Sequence, residues 1–478
     1  MRRAAAPGGP TLRAGELLAD VALLRQAYAA LHPGLYRYNT PAQLAAHYAE
    51  LERALGRDQS LQEAFLAFTT FTATLKCGHS YPNFFNQPDT VVAAILASQP
   101  CLPFYFRWLD RRMVVTRSFA GDPRLVMGAE VISIDGVPAA AVLASLLPLA
   151  RADGSNDAKR VSYLEVRGDS NYEAFDVYYA MLFPPQGGRV ELVVADPRSG
   201  ARSTLRLPTL SHAERVAPIE AREQGRQGDA ALWTLAFLDD GLAVLTMPTW
   251  ALYQSTWNWR RFLDETFAEL ARRRSADLVL DLRGNEGGLS VGDVILSYLS
   301  PRELVLNRYR RLVRYRKVPA ELDPHLSTWD KSFRDWGEQA VAAGDGFYRL
   351  TRYDDDERGS VVRPASPSFG GRTWVLVDAS NSSATFEFAL AVQQNRLGTL
   401  VGQPTGGNLR GINGGAFFFL RLPNSKIEID VPLIGQFPDA ARPDAGLVPD
   451  VLVTPTVADV AAGVDAELAA VRAKRRGR

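Results

Sequence analysis

The chain has 478 residues, 46% of them hydrophobic, with a formal net charge of +1. This length supports two or three domains around a substantial core, and the near-neutral charge gives no electrostatic case for nucleic acid or an anionic membrane. No apolar run approaches the ~20 residues of a membrane-spanning helix, the two cysteines (Cys77, Cys101) allow one disulfide at most and form no metal pattern, and the opening MRRAAAPGGPTLR lacks the apolar stretch of a signal peptide.

Residues 11 to 75 carry the 3.6-residue apolar period of helices, through Leu17, Val21, Leu24 and Ala27, then Leu44 to Leu55, then Leu61 to Leu75. His32-Pro33-Gly34-Leu35-Tyr36 reads as a turn whose histidine packs against the core. The third helix runs into Lys76-Cys77-Gly78-His79-Ser80. A glycine before a histidine at a helix end suits an imidazole aimed into a cleft, so of the five histidines (His32, His47, His79, His212, His325) His79 has the best setting for a general base. Cys77 beside it reads as a buried structural thiol.

From Leu102 to Leu207 the texture becomes β. Phe104–Trp108 and Arg112–Thr116 form a hairpin, and Gly128–Pro138 gives a strand with an Asp135-Gly136 turn followed by an apolar helix. That pattern fits a PDZ-type module, whose open strand edge takes an extended peptide, and equally an ordinary hairpin with a helix. Strands at 189–195 and 203–207 follow, and the polar stretch 211–228 reads as a linker.

Beyond it the pattern is α/β. Leu242–Met247 is a strand, Trp259–Arg273 an amphipathic helix, and Asp277–Leu282 a buried strand ending in Arg283-Gly284-Asn285-Glu286-Gly287-Gly288, before a helix over Val291–Leu299. Glycines at the carboxyl end of a parallel strand let backbone N–H groups approach a ligand closely. A phosphate loop is not indicated, because neither Lys-Ser/Thr nor GxGxxG is present. Pro301–Gly370, arginine-rich and aromatic, reads as an insertion, either a lid or strands over the cleft.

The segment from Trp374 to Asn408 is the chemical centre of the chain. A buried strand, Trp374–Asp378, leads through Ala379-Ser380-Asn381-Ser382 to Ser383-Ala384, and from Thr385 the period turns helical. A serine between strand and helix sits where N–H groups converge and an anion is favoured, which suits a nucleophile whose reaction builds an oxyanion. The alternative is that Ser382 or Ser383 only caps the helix.

These motifs together resemble the C-terminal-processing (tail-specific) serine peptidases. Asp281-Leu-Arg-Gly-Asn-Glu-Gly-Gly288 is similar to that family's D-L-R-x-N-x-G-G, Gly402-Gln-Pro-Thr-Gly-Gly407 to its G-E-x-T-x-G turn, and Gly446-Leu-Val-Pro-Asp450 to its terminal G-V-x-P-D. Where the lysine-dependent branch carries its base, 25 residues after the serine, this chain has Asn408, and Lys426 lies too far on. Asparagine takes no proton, so the resemblance is closest to the tricorn-core and interphotoreceptor-retinoid-binding-protein-like branch, with Cys77-Gly-His-Ser80 similar to its G-H-S/T.

The resemblance implies an α/β, multidomain α+β protein. A helical region (11–90) carries His79, a β-rich PDZ-like region spans 91–210, and an α/β core of the ClpP/crotonase-like type spans 229–460 with the insertion at 301–370. A helix and basic tail follow at 461–478. It implies a serine endopeptidase acting on extended or C-terminal peptide segments, with Ser383 as nucleophile, His79 as base and Asp444 as assisting carboxylate (Asp439 and Glu428 being rivals). Gly288, Ala384 and Gly287 would form the oxyanion hole, and Gly407 and Asn408 would contact substrate. The implied partner is a peptide or protein, no cofactor or metal is called for, and an oligomer is compatible with it. The family is mostly exported, whereas this chain as written shows no export signal. The alternatives are a non-catalytic binder of apolar ligands or peptides on the same fold, and a non-peptidase acyl hydrolase or transferase.

Overall fold

The computed structural model describes residues 11–476 apart from 98, 169, 221–231, 307–308 and 354–360. Three helices open it, α1 (Ala14–Leu31), α2 (Pro41–Leu55) and α3 (Leu61–Thr74). Thr40 and Ser60 start α2 and α3 through reciprocal capping boxes with Gln43 and Glu63, which satisfy N–H groups that a helix start leaves open.

Six strands follow in one antiparallel sheet: β1 (Phe104–Leu109), β2 (Arg112–Ser118), β3 (Glu130–Ile134), β4 (Arg189–Ala195) and β5 (Arg202–Pro208) lie in that order, and the two-residue strand Val137–Pro138 pairs with β3 off that path. The β1–β2 turn closes on Asp110 and Arg111, both at positive φ, the conformation that matches the twist of a tight hairpin. Helices α4 (Ala139–Leu146), α5 (Asp157–Tyr163) and α6 (Ala174–Leu182) lie between β3 and β4 in sequence. In the stretch expected to be a linker, His212–Glu220 forms helix α7, and Arg215 on it is fully buried against Asp176 of α6. Residues 221–228 of that expected linker lie outside the described residues.

A six-stranded sheet of order β17-β14-β13-β8-β7-β6 carries the α/β half. It comprises β6 (Thr234–Phe237), β7 (Ala243–Thr246), β8 (Asp277–Asp281), β13 (Arg372–Val377), β14 (Thr399–Gly402) and β17 (Val451–Leu452). All its pairings are parallel except β6–β7. Helices α8 (Trp259–Arg272), α9 (Val291–Leu299) and α10 (Ser383–Asn395) cover it. Its central strands are buried except at their ends, with Leu278, Val279, Leu280 and Val375 fully enclosed, as a sheet covered on both faces requires. Two helices, α11 (Val457–Ala462) and α12 (Ala466–Arg476), end the description, and Val471 of α12 packs with Val279 and Leu376.

The insertion, expected to be a lid or strands over the cleft, supplies strands to a sheet. Its strands β9 (Tyr309–Val313), β10 (Leu326–Ser327), β11 (Ala340–Gly344) and β12 (Phe347–Leu350) join β15 (Asn413–Arg421) and β16 (Glu428–Pro438) in another six-stranded sheet, of order β10-β15-β16-β9-β12-β11. The inward side chains of this sheet, Phe418 and Val431 among them, share one core with Leu24 and Phe68 of the helical region and Phe106 of β1. The expected boundary near residue 90 therefore crosses a continuous core, whereas the α/β sheet keeps a core of its own around Leu245, Leu280 and Phe386.

Candidate active site

Strands β8 and β13 run side by side and parallel, so the loops after them leave the same edge of the sheet. Side-chain bonds staple the two loops together. Asn381 Nδ2 donates to the Leu282 and Asn285 carbonyls (2.6 and 3.0 Å), Ser382 Oγ to the Glu286 carbonyl (3.2 Å) and Thr385 Oγ1 to the Asn285 carbonyl (2.9 Å). Ser382 holds the cap position of α10, yet its hydroxyl makes no cap bond. Helix α10 begins at Ser383, two residues earlier than the apolar period indicates.

Ser383 sits at φ +51°, in the left-handed region, and is the only serine there among the described residues. A β-carbon in that region is strained, and such strain persists where surrounding bonds over-determine the backbone. The staples supply that constraint. They hold a half-buried Ser383 at the start of a helix, with the N–H groups of its first turn nearby. Gly287 (φ +105°) comes so close that an added β-carbon would lie 3.0 Å from Ser383 Cβ and 2.9 Å from Ala384 N. At Gly288 (φ +138°) an added β-carbon would lie 2.2 Å from the Trp250 carbonyl. The N–H groups of Gly288 and Ala384 have no acceptor among the described residues. Gly287 N–H instead donates to Asn285 Oδ1 at 2.9 Å. As a third oxyanion donor Gly287 is therefore committed elsewhere, and its contribution here is room.

His79 is half-buried, its ring 5.8 Å from that of Phe417 and its Nδ1 enclosed without a hydrogen-bond partner among the described residues. Burial lowers its pKa from 6.5, Asp153 opposing, so the neutral imidazole is favoured. His32 is the packed turn histidine expected. Its Nδ1 accepts from Gly34 N–H (3.0 Å), which leaves Nε2–H to donate to Ser80 Oγ (2.8 Å), and burial lowers its pKa to about 3. Cys77 and Cys101 are both free and buried, and burial raises both thiols, Cys101 to about 12.

One segment the sequence did not single out, 151–159, ties the histidine turn to the glycine and serine loops. Arg151 Nη1 donates to the Gly78 carbonyl (2.8 Å) and Nη2 to Glu286 Oε2 (2.9 Å), while Lys159 Nζ donates to Glu286 Oε1 (2.5 Å) and the Ser380 carbonyl (2.9 Å). Asp153 Oδ1 accepts from Gly78 N–H at 2.9 Å. Burial pushes the Glu286 carboxyl up, but Lys159 and Arg151 outweigh it and hold the pKa at about 2. The structure thus joins His79's turn and Ser383's loop through Gly78, Arg151, Glu286 and Ser382.

The expected partners Asp444, Gly407 and Asn408 are placed otherwise. Asp444 Oδ1 accepts from Asn408 Nδ2 (2.7 Å) and Ser155 N–H (3.0 Å), not from the imidazole. Asn408 is fully buried. Its Nδ2 also reaches the Asp153 carbonyl and its Oδ1 takes Arg410 N–H, so both polar ends of its side chain are engaged within the protein. Gly407 is buried against the Phe386 ring with its N–H on the Asn381 carbonyl and its own carbonyl on Asn156. These two residues, expected to touch substrate, instead fasten the 405–408 loop beneath the site. Asp439 is exposed near Arg310 at the end of β16, and Glu428 pairs with Arg421. Among the described residues no three His, Cys, Asp or Glu side chains gather as for a metal ion, and no helix is long and apolar enough to cross a membrane.

Residues 241–416 match the family described as Peptidase family S41. Among solved structures, the chain is similar to mature CPAF complexed with lactacystin, at TM-score 0.64 and 14% identity, covering 94% of this chain and 95% of that one. A second structure of mature CPAF gives TM-score 0.60 and 14% identity over 94% of each chain. The photosystem II D1 C-terminal processing protease aligns over 95% and 98% at 16% identity, with a TM-score of only 0.43. No curated protein matches by sequence. The CPAF likeness extends the shared fold well outside the matched segment, across both β regions.

Proposed function

We propose, on the premise that this chain carries a peptidase family S41 domain and is a serine-type peptidase, that Ser383 is the nucleophile and His79 its general base. The observation that carries this reading is the left-handed Ser383 at the start of α10, stapled beside Gly287 and Gly288 with two N–H groups unoccupied.

In the reaction, neutral His79 takes the Ser383 hydroxyl proton as Oγ attacks a peptide carbonyl. The Gly288 and Ala384 N–H groups hold the oxyanion, each contributing roughly 3 kcal/mol to the transition state. The imidazolium passes its proton to the departing amine nitrogen as the C–N bond breaks, and water then hydrolyses the acyl-enzyme. Asp153 is the carboxylate that favours the imidazolium, because its charge is the one that raises the His79 pKa most, while Asp444 braces Asn408. No step calls on a metal. The substrate is an extended or C-terminal peptide segment.

Ser383→Ala is expected to abolish covalent labelling by a fluorophosphonate, while Ser382→Ala keeps most of it. His79→Ala is expected to lower peptide turnover by at least ~10²-fold. Labelling lost in Ser382→Ala instead would move the nucleophile by one residue, and a near-fully active His79→Ala would move the base to another histidine.

A further inference from the structure

The imidazole of His79 lies against a strand with an open edge. Strand β15 pairs with β16 along its length, but on its other side β10 covers only Phe419 and Leu420. Among the described residues no strand pairs with 413–418 on that side, and His79 Cε1 lies 3.9 Å from where a β-carbon on Gly414 would be. An unpaired edge of this kind takes an extended chain by main-chain hydrogen bonds.

The side chains beside that edge are aromatic. Phe417, 5.8 Å from the His79 ring, lies 5.9 Å from the ring of Trp329, which lies 5.8 Å from Phe419. Trp329 is 62% exposed, an unusual setting for the largest apolar side chain. It is nevertheless held, edge-on at 5.5 Å, by buried Phe333. The result is a preformed aromatic ledge leading outward from the imidazole. The insertion supplies its outer part.

The chemistry of the base fixes which part of a substrate reaches this ledge. The imidazolium must deliver its proton to the leaving amine, so the leaving-group side of the scissile bond is on the His79 side. We infer that Phe417, Trp329 and Phe419 form a subsite for an aromatic or large aliphatic side chain on the C-terminal side of the scissile bond, with the substrate running along the free edge of β15. This inference rests on Ser383 and His79 as the reacting pair.

The test uses the acyl-enzyme in reverse. p-Nitrophenyl acetate acetylates Ser383 and releases p-nitrophenol. An added amino-acid amide then attacks the acetyl-enzyme from the leaving-group side, forming the N-acetyl amide and restoring the serine hydroxyl. Phenylalaninamide is expected to out-compete glycinamide for the acetyl group by about tenfold, the lower end of what an apolar site discriminates. Trp329→Ala, its folding checked by circular dichroism, is expected to bring that ratio near one, and Trp329→Phe to restore much of it. An unchanged ratio in Trp329→Ala, or a wild-type enzyme that takes both amides equally, overturns the subsite alone. Absence of any acetyl-enzyme at Ser383 overturns the nucleophile and the subsite with it.

Discussion

The parallel sheet of the α/β half and the antiparallel sheet shared with the insertion build the candidate site in different ways. The parallel sheet contributes backbone: its adjacent strands β8 and β13 end together, and the loops after them bring a strained serine, two glycines and two free N–H groups into one place. The antiparallel sheet contributes side chains, with Phe417 and Phe419 on one strand face and Trp329 against them beside His79. On the proposed roles, reaction geometry rests on elements that tolerate little change, and recognition on groups that can be exchanged singly. Gly287→Ala tests the first half. Its β-carbon would meet Ala384 N and the Ser382 carbonyl at 2.9 Å, in a backbone conformation that side chains avoid. Turnover is expected to fall by ~10²-fold or more, the cost of displacing an oxyanion donor, with circular dichroism unchanged. Near-normal turnover would mean that the parallel half is as forgiving as the other.

Glu286 tests how the His79 turn is tied to the parallel half. It alone receives both Arg151, which holds Gly78, and Lys159, which holds the Ser380 carbonyl. Glu286→Gln leaves Lys159, whose side chain is 3% exposed, without its counter-charge. Losing one partner of a buried pair costs about 3–5 kcal/mol, and with Glu286 itself 41% exposed solvent screening brings the expected loss to about 1–3 kcal/mol. Urea unfolding measures it. The same variant is expected to lose activity beyond its stability loss, because His79's turn is no longer fixed relative to Ser383. Wild-type stability and turnover would show that the two halves register by packing alone.

What could be read from the sequence divides along the same line. Strand, turn and helix in 277–299 and 374–402 are local patterns, so the loop carrying Gly287 and Gly288 and the strand–helix junction carrying Ser383 could be read from the sequence. His79 was singled out from a Gly-His at a helix end. The 151–159 hub was not, because its partners lie far off in sequence: Gly78 and Asp153 are 75 residues apart, and Arg151 and Glu286 are 135. No period or spacing encodes such a pairing. The antiparallel sheet failed to show for a related reason. Strand β9 lies in the arginine-rich insertion and finds its partner β16 more than a hundred residues on, so its pattern read equally as a lid or as strands over the cleft and gave no sign of that partner. Gly407 and Asn408 were misjudged because a glycine-rich turn looks alike whether it faces a ligand or, as here, the ring of Phe386.

The smallest expected effect concerns the seam between the halves. Glu387 lies one turn after Ser383 on α10, and Tyr309 of β9 donates to its carboxylate at 3.0 Å. Burial raises its pKa from 4.5 to about 7, the Tyr309 bond and Arg311 opposing and Asp293 of α9 adding to it. A carboxyl with a raised folded pKa binds its proton more tightly when folded, so its stabilising effect is complete below pH 4.5 and is lost as pH rises towards 7. Asp430 on β16 has the same sign. Burial raises it from 3.8 to about 7 against the opposing bonds from Asn83 and Asn86 and the charge of Arg151, with Glu428 adding to the rise. Glu387→Gln keeps an acceptor for Tyr309 and removes the titration. It is therefore expected to match the wild type at pH 4 and to exceed it at pH 8 by about 1–2 kcal/mol, screening included. Urea midpoints at the two pH values give the answer. A variant less stable at pH 8 would mean that the ionised carboxylate holds α10 to β9, making the seam an electrostatic clamp rather than a packed joint.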